Sequence, residues 1–296
     1  MISHFPSDIP SYFADAEASF KESNIVLFGV PYDKTASFRP GSRFGPDEIR
    51  KASWNFEPYN ILTGKSIQDC LIHDYGNVNI KEQDKPKKVF EKITHFAQDI
   101  RKSNKIPVMI GGEHTETAAS IQAFGENIHS IIFDAHLDFR DTYVHERYNH
   151  ACTIRRVNDH IPGDQIYVLG VRSAEKKEYD EAMKENVHIF TSDTIQQQGI
   201  KSILSKMKQN IQNKPVYLSI DIDALDPCYA PGTGTLEPFG LNPLDIIDTI
   251  TSFSSQIRGA DIMEVAPSYD HGETAVLAAK IIRLLLEHIC FQFNDG

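Results

Sequence analysis

The chain has 296 residues, with 41 acidic against 30 basic side chains, a formal net charge of −11 and 41% hydrophobic residues. That charge balance lacks the basic face a nucleic-acid partner requires and leaves room for a cationic ligand, while the apolar content suffices for one large domain or two ordinary ones. The mildly negative mean hydropathy fits a soluble protein, and four scattered cysteines (Cys70, Cys152, Cys228, Cys290) without a CxxC pair argue against a disulfide framework or a thiolate zinc site and for a reducing compartment.

In chain order, MISHFPSDIP has neither a basic n-region nor an apolar h-region, so no signal peptide is expected there and the cytoplasm is the expected compartment. IVLFGV (25–30) has the pattern of a buried strand. FGPDEIRKASW (44–54) predicts a helix, with Pro46 in its first turn and Asp47 and Glu48 behind it. LIHDY (71–75) is a second strand, and the polar GNVNIKEQDKPKKVF (76–90) is expected to be exposed. In KKVFEKITHFAQDIRK (87–102), Val89, Ile93, Phe96 and Ile100 recur three or four apart, as on one face of a helix. Strands are predicted in IPVMI (106–110), HSIIFD (129–134), QIYVLGV (165–171), VHIFT (187–191), PVYLSID (215–221) and ADIMEV (260–265). PLDIIDTITSF (243–253) and TAVLAAKIIRLLLEHI (274–289) predict further amphipathic helices. The charges of Lys280, Arg283, Glu287 and His288 mark the latter as a helix of a soluble fold, not a membrane span.

Near-continuous apolar strands alternating with helices predict an α/β fold, three layers αβα around a parallel sheet, with an eight-stranded barrel as the competing topology. No linker, low-complexity tract or internal repeat interrupts 1–296, so a single domain is expected. In either topology ligands gather at the carboxyl ends of the strands. IPVMI runs into Gly111-Gly112-Glu113-His114, HSIIF into Asp134, His136 and Asp138, and PVYLSI into Asp221 and Asp223, while ADIMEV carries Glu264 near its end. The period of two puts Asp134, His136 and Asp138 on one side of their strand, and Asp221 and Asp223 on one side of theirs.

So many acids cannot share a cleft as bare anions. Two histidines and four aspartates exceed a closed tetrahedral zinc site and suit two octahedral ions sharing bridging carboxylates, with manganese favoured by the hard oxygen ligands. Such a pair, about 3.5–4 Å apart, bridges a water of lowered pKa and makes a hydroxide nucleophile, hence a hydrolase. Each motif alone has a plainer reading: a surface loop or structural ion site for DxHxD, an N-capped strand end for SIDID, a turn for GGEH. Their joint occurrence after three apolar strands favours a catalytic site.

GGEH (111–114), DAHLD (134–138) and SIDIDALDP (219–227) resemble the three signatures of the ureohydrolase family, the arginases and agmatinases. ASFRPGSRFGPDEIR (36–50), APGTGTLEP (230–238) and EVAPSYD (264–270) are similar to further family segments, in the family's order. The resemblance implies an eight-stranded parallel sheet, a homotrimer or homohexamer and two Mn2+ per chain. His114, Asp134, Asp138 and Asp221 would hold one ion and Asp134, His136, Asp221 and Asp223 the other. Glu113 stands where the family often has Asp, at a position expected to orient His114. Leu236 and Phe239 replace a frequent Pro and Gly in the glycine-rich loop, which bears on the pocket rim.

The resemblance further implies a metal-bridging hydroxide attacking a guanidinium carbon. Asp138 would accept a hydrogen bond from it, Glu264 would bind the guanidinium, and His150 in YNHACTIRR (148–156) would bind substrate and carry a proton to the leaving amine. Read without it, His150 is an ordinary histidine at a helix start and Glu264 a strand-end acid capping a turn. Phe139-Arg140-Asp141 and YNHACTIRR look agmatinase-like, so agmatine yielding putrescine and urea is the favoured reaction, a step of polyamine biosynthesis. Aminopropylagmatine, guanidinobutyrate and arginine remain as other guanidines. A zinc-dependent acylpolyamine amidohydrolase and a non-catalytic metal-binding relative are the alternatives outside ureohydrolysis.

Overall fold

The computed structural model describes residues 10–294, so the reading of the first ten residues as lacking a signal peptide falls, but for Pro10, outside the described residues. Eight strands form one sheet: β1 (Ile25–Gly29), β2 (Ile72–Asn77), β3 (Ile106–Ile110), β4 (His129–Phe133), β5 (Ile166–Val171), β6 (His188–Thr191), β7 (Val216–Asp221) and β8 (Ile257–Met263). Their spatial order is β2-β1-β3-β8-β7-β4-β5-β6, and every pairing is parallel. The terminal strands β2 and β6 do not pair with each other, so the sheet is open and the barrel is excluded.

Alternation along each strand builds two cores. Leu27, Val108, Ile131, Leu218 and Ile262 pack on one face, together with Ile203 and Met207 of α7 (Ile200–Ile211), Ile250 of α8 (Pro243–Phe253) and Leu285 of α9 (Glu273–Asn294). Val26, Phe28, Met109, Ile132 and Tyr217 pack on the other face, against Ile93 of α2 (Pro86–Lys102), Ala118 of α3 (Thr115–Gln122) and Val157 of α4 (Thr153–Asn158). The remaining helices are α1 (Gly45–Ser53), α5 (Lys176–Lys184) and α6 (Ser192–Gln198). The result is the three-layer αβα fold.

Pro46 does lie in the first turn of α1, with Asp47 and Glu48 beside it. Two expectations are corrected. Segment 76–90 is not uniformly exposed: Val78, Asp84, Val89 and Phe90 are buried, and Asp84 is paired with Lys88 and Lys92. In α9, Arg283 and Glu287 are buried, and both are partnered: Arg283 meets Asp15 at 2.7 Å and Glu287 accepts from Asn60 at 2.9 Å. No helix is long and apolar enough to cross a membrane among the described residues. A disulfide joins Cys70 to Cys290 across 220 residues (Cα–Cα 5.8 Å), because the segment preceding β2 packs on α9. The cysteine pattern therefore no longer argues for a reducing compartment.

Candidate metal centre

The strand order brings together what the sequence keeps apart. β3, β8, β7 and β4 are consecutive neighbours in the sheet, and their carboxyl ends carry His114, Glu264, Asp221 with Asp223, and Asp134 with His136 and Asp138. All of the predicted ligand positions therefore converge on one edge. After β3 the chain turns tightly under the loop at Tyr32: the Glu113 N–H donates to Tyr32 O at 2.8 Å, and a Cβ on Gly112 would stand 1.9 Å from that oxygen. Glycine is required there for the close backbone approach.

His114, Asp134 and Asp221 offer ligand atoms all within 4.8 Å of one another, and Asp134, His136 and Asp223 form a second such set, with Asp134 common to both. His114 Nδ1 lies 3.0 Å from Asp134 Oδ2 and 3.3 Å from Asp221 Oδ2, while His136 Nδ1 lies 3.0 Å from Asp223 Oδ2. Asp138 stands a step further out, its Oδ2 3.9 Å from His114 Nδ1. Backbone amides hold the carboxylates in place: His136 N–H donates to Asp134 Oδ1 at 2.6 Å, Ala135 N–H to Asp223 Oδ1 at 3.1 Å and Asp223 N–H to Asp221 Oδ1 at 2.9 Å.

This donor set fits divalent cations. His114 Nδ1 and Asp134 Oδ2 are buried, face each other and have no hydrogen-bond partner. Burial first, and then the charge of neighbouring aspartates, pushes Asp138 and Asp221 well above the usual carboxylate range. Burial works to lower the His136 pKa, but Asp223 and Asp134 outweigh it and hold it at about 12. Carboxylates packed this closely in a dry site require compensating positive charge. Asp138 (φ 44) and Glu264 (φ 61) both sit in the left-handed region, local strain of the kind that collects at functional sites.

Behind the ligands lies a buried relay. His114 Nε2 is 3.1 Å from Ser219 Oγ, Thr117 Oγ1 is 3.2 Å from the same oxygen and donates to Asp261 Oδ2 at 2.9 Å, and Tyr217 OH donates to that carboxylate at 2.6 Å. These partners, not Glu113, orient His114. Glu113 instead accepts from Thr35, at the backbone N–H and at Oγ1, both at 2.7 Å, and from Thr115 Oγ1 at 3.0 Å. The longer acid reaches across to Thr35, and burial pushes it up to about 7.

Thr35 leads to His150. Thr35 Oγ1 lies 3.3 Å from His150 Nδ1 and Ser37 Oγ lies 3.0 Å from Nε2. Burial first, then the charge at His136, lowers His150 to about 4, so it is a neutral imidazole at neutral pH. Sequence reading missed Thr35, Ser37, Ser219 and Asp261. Thr35 and Ser37 carry no local pattern. Ser219 and Asp261 were detectable as polar residues inside apolar strand runs.

His114, His136, Asp138, Asp221, Asp223 and His150 line a pocket of about 270 Å³ that Glu264 also faces, while Asp134 is fully buried behind it. Its rim is formed by Phe38, Arg39, Arg140, Tyr143, Glu175 and Thr235. Arg39 donates to Thr233 O (2.7 Å) and Gly234 O (3.1 Å) and covers the Tyr269 ring at 4.4 Å, tying the 36–50 segment to the glycine-rich loop. Leu236 and Phe239 lie off the pocket wall, and Phe239, 80% exposed, holds φ 65, the left-handed conformation that suits glycine.

An open α/β sheet whose central strand ends converge two carboxylate–imidazole sets beside the half-buried Glu264 has the architecture of a candidate metal-binding, hydrolase-type centre. The chain matches the model of the Arginase family over residues 23–287. It is 34% identical to an agmatinase of Bacillus anthracis over 281 residues, 93% of this chain and 94% of that one. It is also 34% identical to an N(1)-aminopropylagmatine ureohydrolase of Thermococcus kodakarensis, covering 88% of this chain and 89% of that one. The solved agmatine ureohydrolase of Thermoplasma volcanium superposes with a TM-score of 0.92 at 33% identity, over 98% of this chain and 97% of that one. The chain belongs to the arginase family and is a hydrolase of that family.

Proposed function

We propose that the chain is a manganese-dependent ureohydrolase, one catalytic domain that converts agmatine to putrescine and urea. The observation that carries this reading is the placement of Glu264. Its Oε1 accepts the His114 N–H at 2.8 Å, so a carboxylate that lines the pocket is held beside the ligand sets. The plain role of turn cap is therefore also present, and it fixes the group.

Asp134, shared by the two sets, and Asp221 would bridge two ions, with His114 and Asp138 on one side and His136 and Asp223 on the other. Two cations held there supply an attacking water of lowered pKa. Glu264 accepts N–H bonds from the guanidinium. Burial first, and then the charge of Glu113, pushes Glu264 up to about 8, and a cationic guanidinium offsets both effects and keeps it ionised. Asp138, a step further from His114 than Asp134 and Asp221, would accept a hydrogen bond from the attacking water. The neutral His150 would take up the proton that the attacking water gives up and pass it to the leaving amine nitrogen, while Thr35 and Ser37 hold its ring.

The acidic chain suits a dicationic substrate, and the name of the Bacillus relative supports agmatine. The Thermococcus relative keeps the aminopropylated substrate as the second reading. We further infer a homotrimer or homohexamer, as the family resemblance implies, working in polyamine biosynthesis in the cytoplasm, the compartment expected from the lack of a signal-peptide pattern at the start of the sequence. The test is urea release with manganese across agmatine, aminopropylagmatine, guanidinobutyrate and arginine. Comparable rates on arginine overturn the agmatine assignment. One bound zinc per chain, in place of two manganese, points to amide hydrolysis instead.

A further inference from the structure

His136 uses one ring nitrogen toward the ligand set and leaves the other facing a carboxylate on the glycine-rich loop. Its Nδ1 points to Asp223 Oδ2 at 3.0 Å and Asp134 Oδ1 at 3.6 Å. Its Nε2 is buried without a hydrogen-bond partner. An imidazole that gives its Nδ1 lone pair to a cation carries its proton on Nε2, and a buried N–H needs an acceptor. Glu237 Oε1 stands 3.8 Å from that nitrogen, so a small side-chain rotation brings it into hydrogen-bond range.

The backbone carrying Glu237 is held in register with the metal ligands by one guanidinium. Arg172, directly after β5, donates to Glu237 O at 2.7 Å and 3.2 Å and to Pro238 O at 3.0 Å. The same group donates to Asp223 O at 2.8 Å, Ala224 O at 3.2 Å and Leu225 O at 3.3 Å. Arg172 thus meets Glu237 through its backbone carbonyl and leaves the carboxylate free to face His136. Asp223, which the second ligand set uses, and Glu237, which backs the histidine of that set, are clamped by a single side chain.

We propose that Glu237 is a positioning residue for the metal centre: it takes the Nε2–H of His136, fixes that tautomer and strengthens the imidazole as a ligand of the second ion. A carboxylate behind a ligand histidine raises its basicity and locks its ring, and loss of such a partner weakens metal binding about 10–100-fold. The inference rests on the two-ion reading above.

The test is stepwise Mn2+ binding to chelator-stripped protein by equilibrium dialysis, for wild type, Glu237→Ala and Glu237→Gln, with the thermal midpoint of each metal-free chain as the folding control. Expected are two ions in wild type, one step weakened about 10–100-fold in Glu237→Ala with the other step unchanged, and a smaller loss in Glu237→Gln, whose amide oxygen still accepts the N–H. Unchanged affinities in Glu237→Ala overturn the proposal. So do equal losses at both steps in a Glu237→Gln chain with a wild-type midpoint. A wild type that binds fewer than two ions overturns the two-ion reading itself, and this proposal with it.

Discussion

Glu264 Oε1 accepts a 2.8 Å hydrogen bond from the backbone N–H of His114, so the group proposed to bind the guanidinium and a proposed ligand of the candidate metal centre share one polar link. Glu264→Gln keeps an oxygen for that N–H and removes the charge. The expected result is a fall in kcat/KM of roughly 10²–10³-fold, the size of removing one preorganised charge-stabilising contact, with manganese content unchanged. A variant that retains wild-type kcat/KM removes Glu264 from substrate binding.

The convergent carboxylates predict linkage between metal and stability. Protein stripped by a chelator should lose urea release. Manganese at 100 times its dissociation constant should add about 2.7 kcal/mol per site, a rise of roughly 4 °C in thermal midpoint per site for a chain of this size. His136→Ala or Asp223→Ala should weaken one ion and cut turnover by orders of magnitude. Full activity in metal-depleted buffer would falsify the two-ion reading.

His150 is held by Thr35 and Ser37 and lies outside both ligand sets. His150→Ala should spare manganese content and slow turnover by about 10²–10⁴-fold, and Thr35→Val should act through the same ring with a smaller effect. Because burial lowers His150 from 6.5 to about 4, the unfolded chain binds more protons at this residue than the folded chain across that window. Its contribution to stability is therefore fully present above 6.5 and lost as the pH falls toward about 4. A chemical-denaturation series on metal-free wild type and His150→Gln should show a shallower acid decline in the variant. Identical slopes and unchanged turnover would remove both roles.

Much of the centre was legible because its chemistry is local. The alternation of Asp134, His136 and Asp138 is set by strand geometry, so residue type and spacing alone put them on one side of a strand end. The alternation of strands and helices likewise announced a parallel sheet. What escaped is long-range. The adjacency of β3, β8, β7 and β4 depends on a strand order that no segment encodes. The Thr35–His150 contact spans 115 residues. The pairing of Arg283 with Asp15 spans 268. Glu113 was read as the orienter of its sequence neighbour His114, whereas the fold turns its side chain to Thr35 and leaves that task to Ser219 on β7.

The Cys70–Cys290 bridge is the least expected of these long-range contacts, and it has a measurable consequence. Cys70 follows a short turn whose Ile67 is buried, and Cys290 lies on α9 beside Ile289 and Leu286 in the same core. Closing a loop of 220 residues restricts the unfolded chain. On the chain-entropy relation that restriction is worth about 5 kcal/mol at 25 °C. Neither cysteine lines the pocket, so the effect should fall on stability and not on catalysis. Thiol titration of the denatured, unreduced protein should count two free thiols, Cys152 and Cys228, and not four. Cys290→Ser, or reduction of the wild type, should lower the thermal midpoint and leave urea release at 25 °C intact. Four titratable thiols, or a midpoint indifferent to both treatments, would show that the two sulfurs are packed together in the core without restraining the chain.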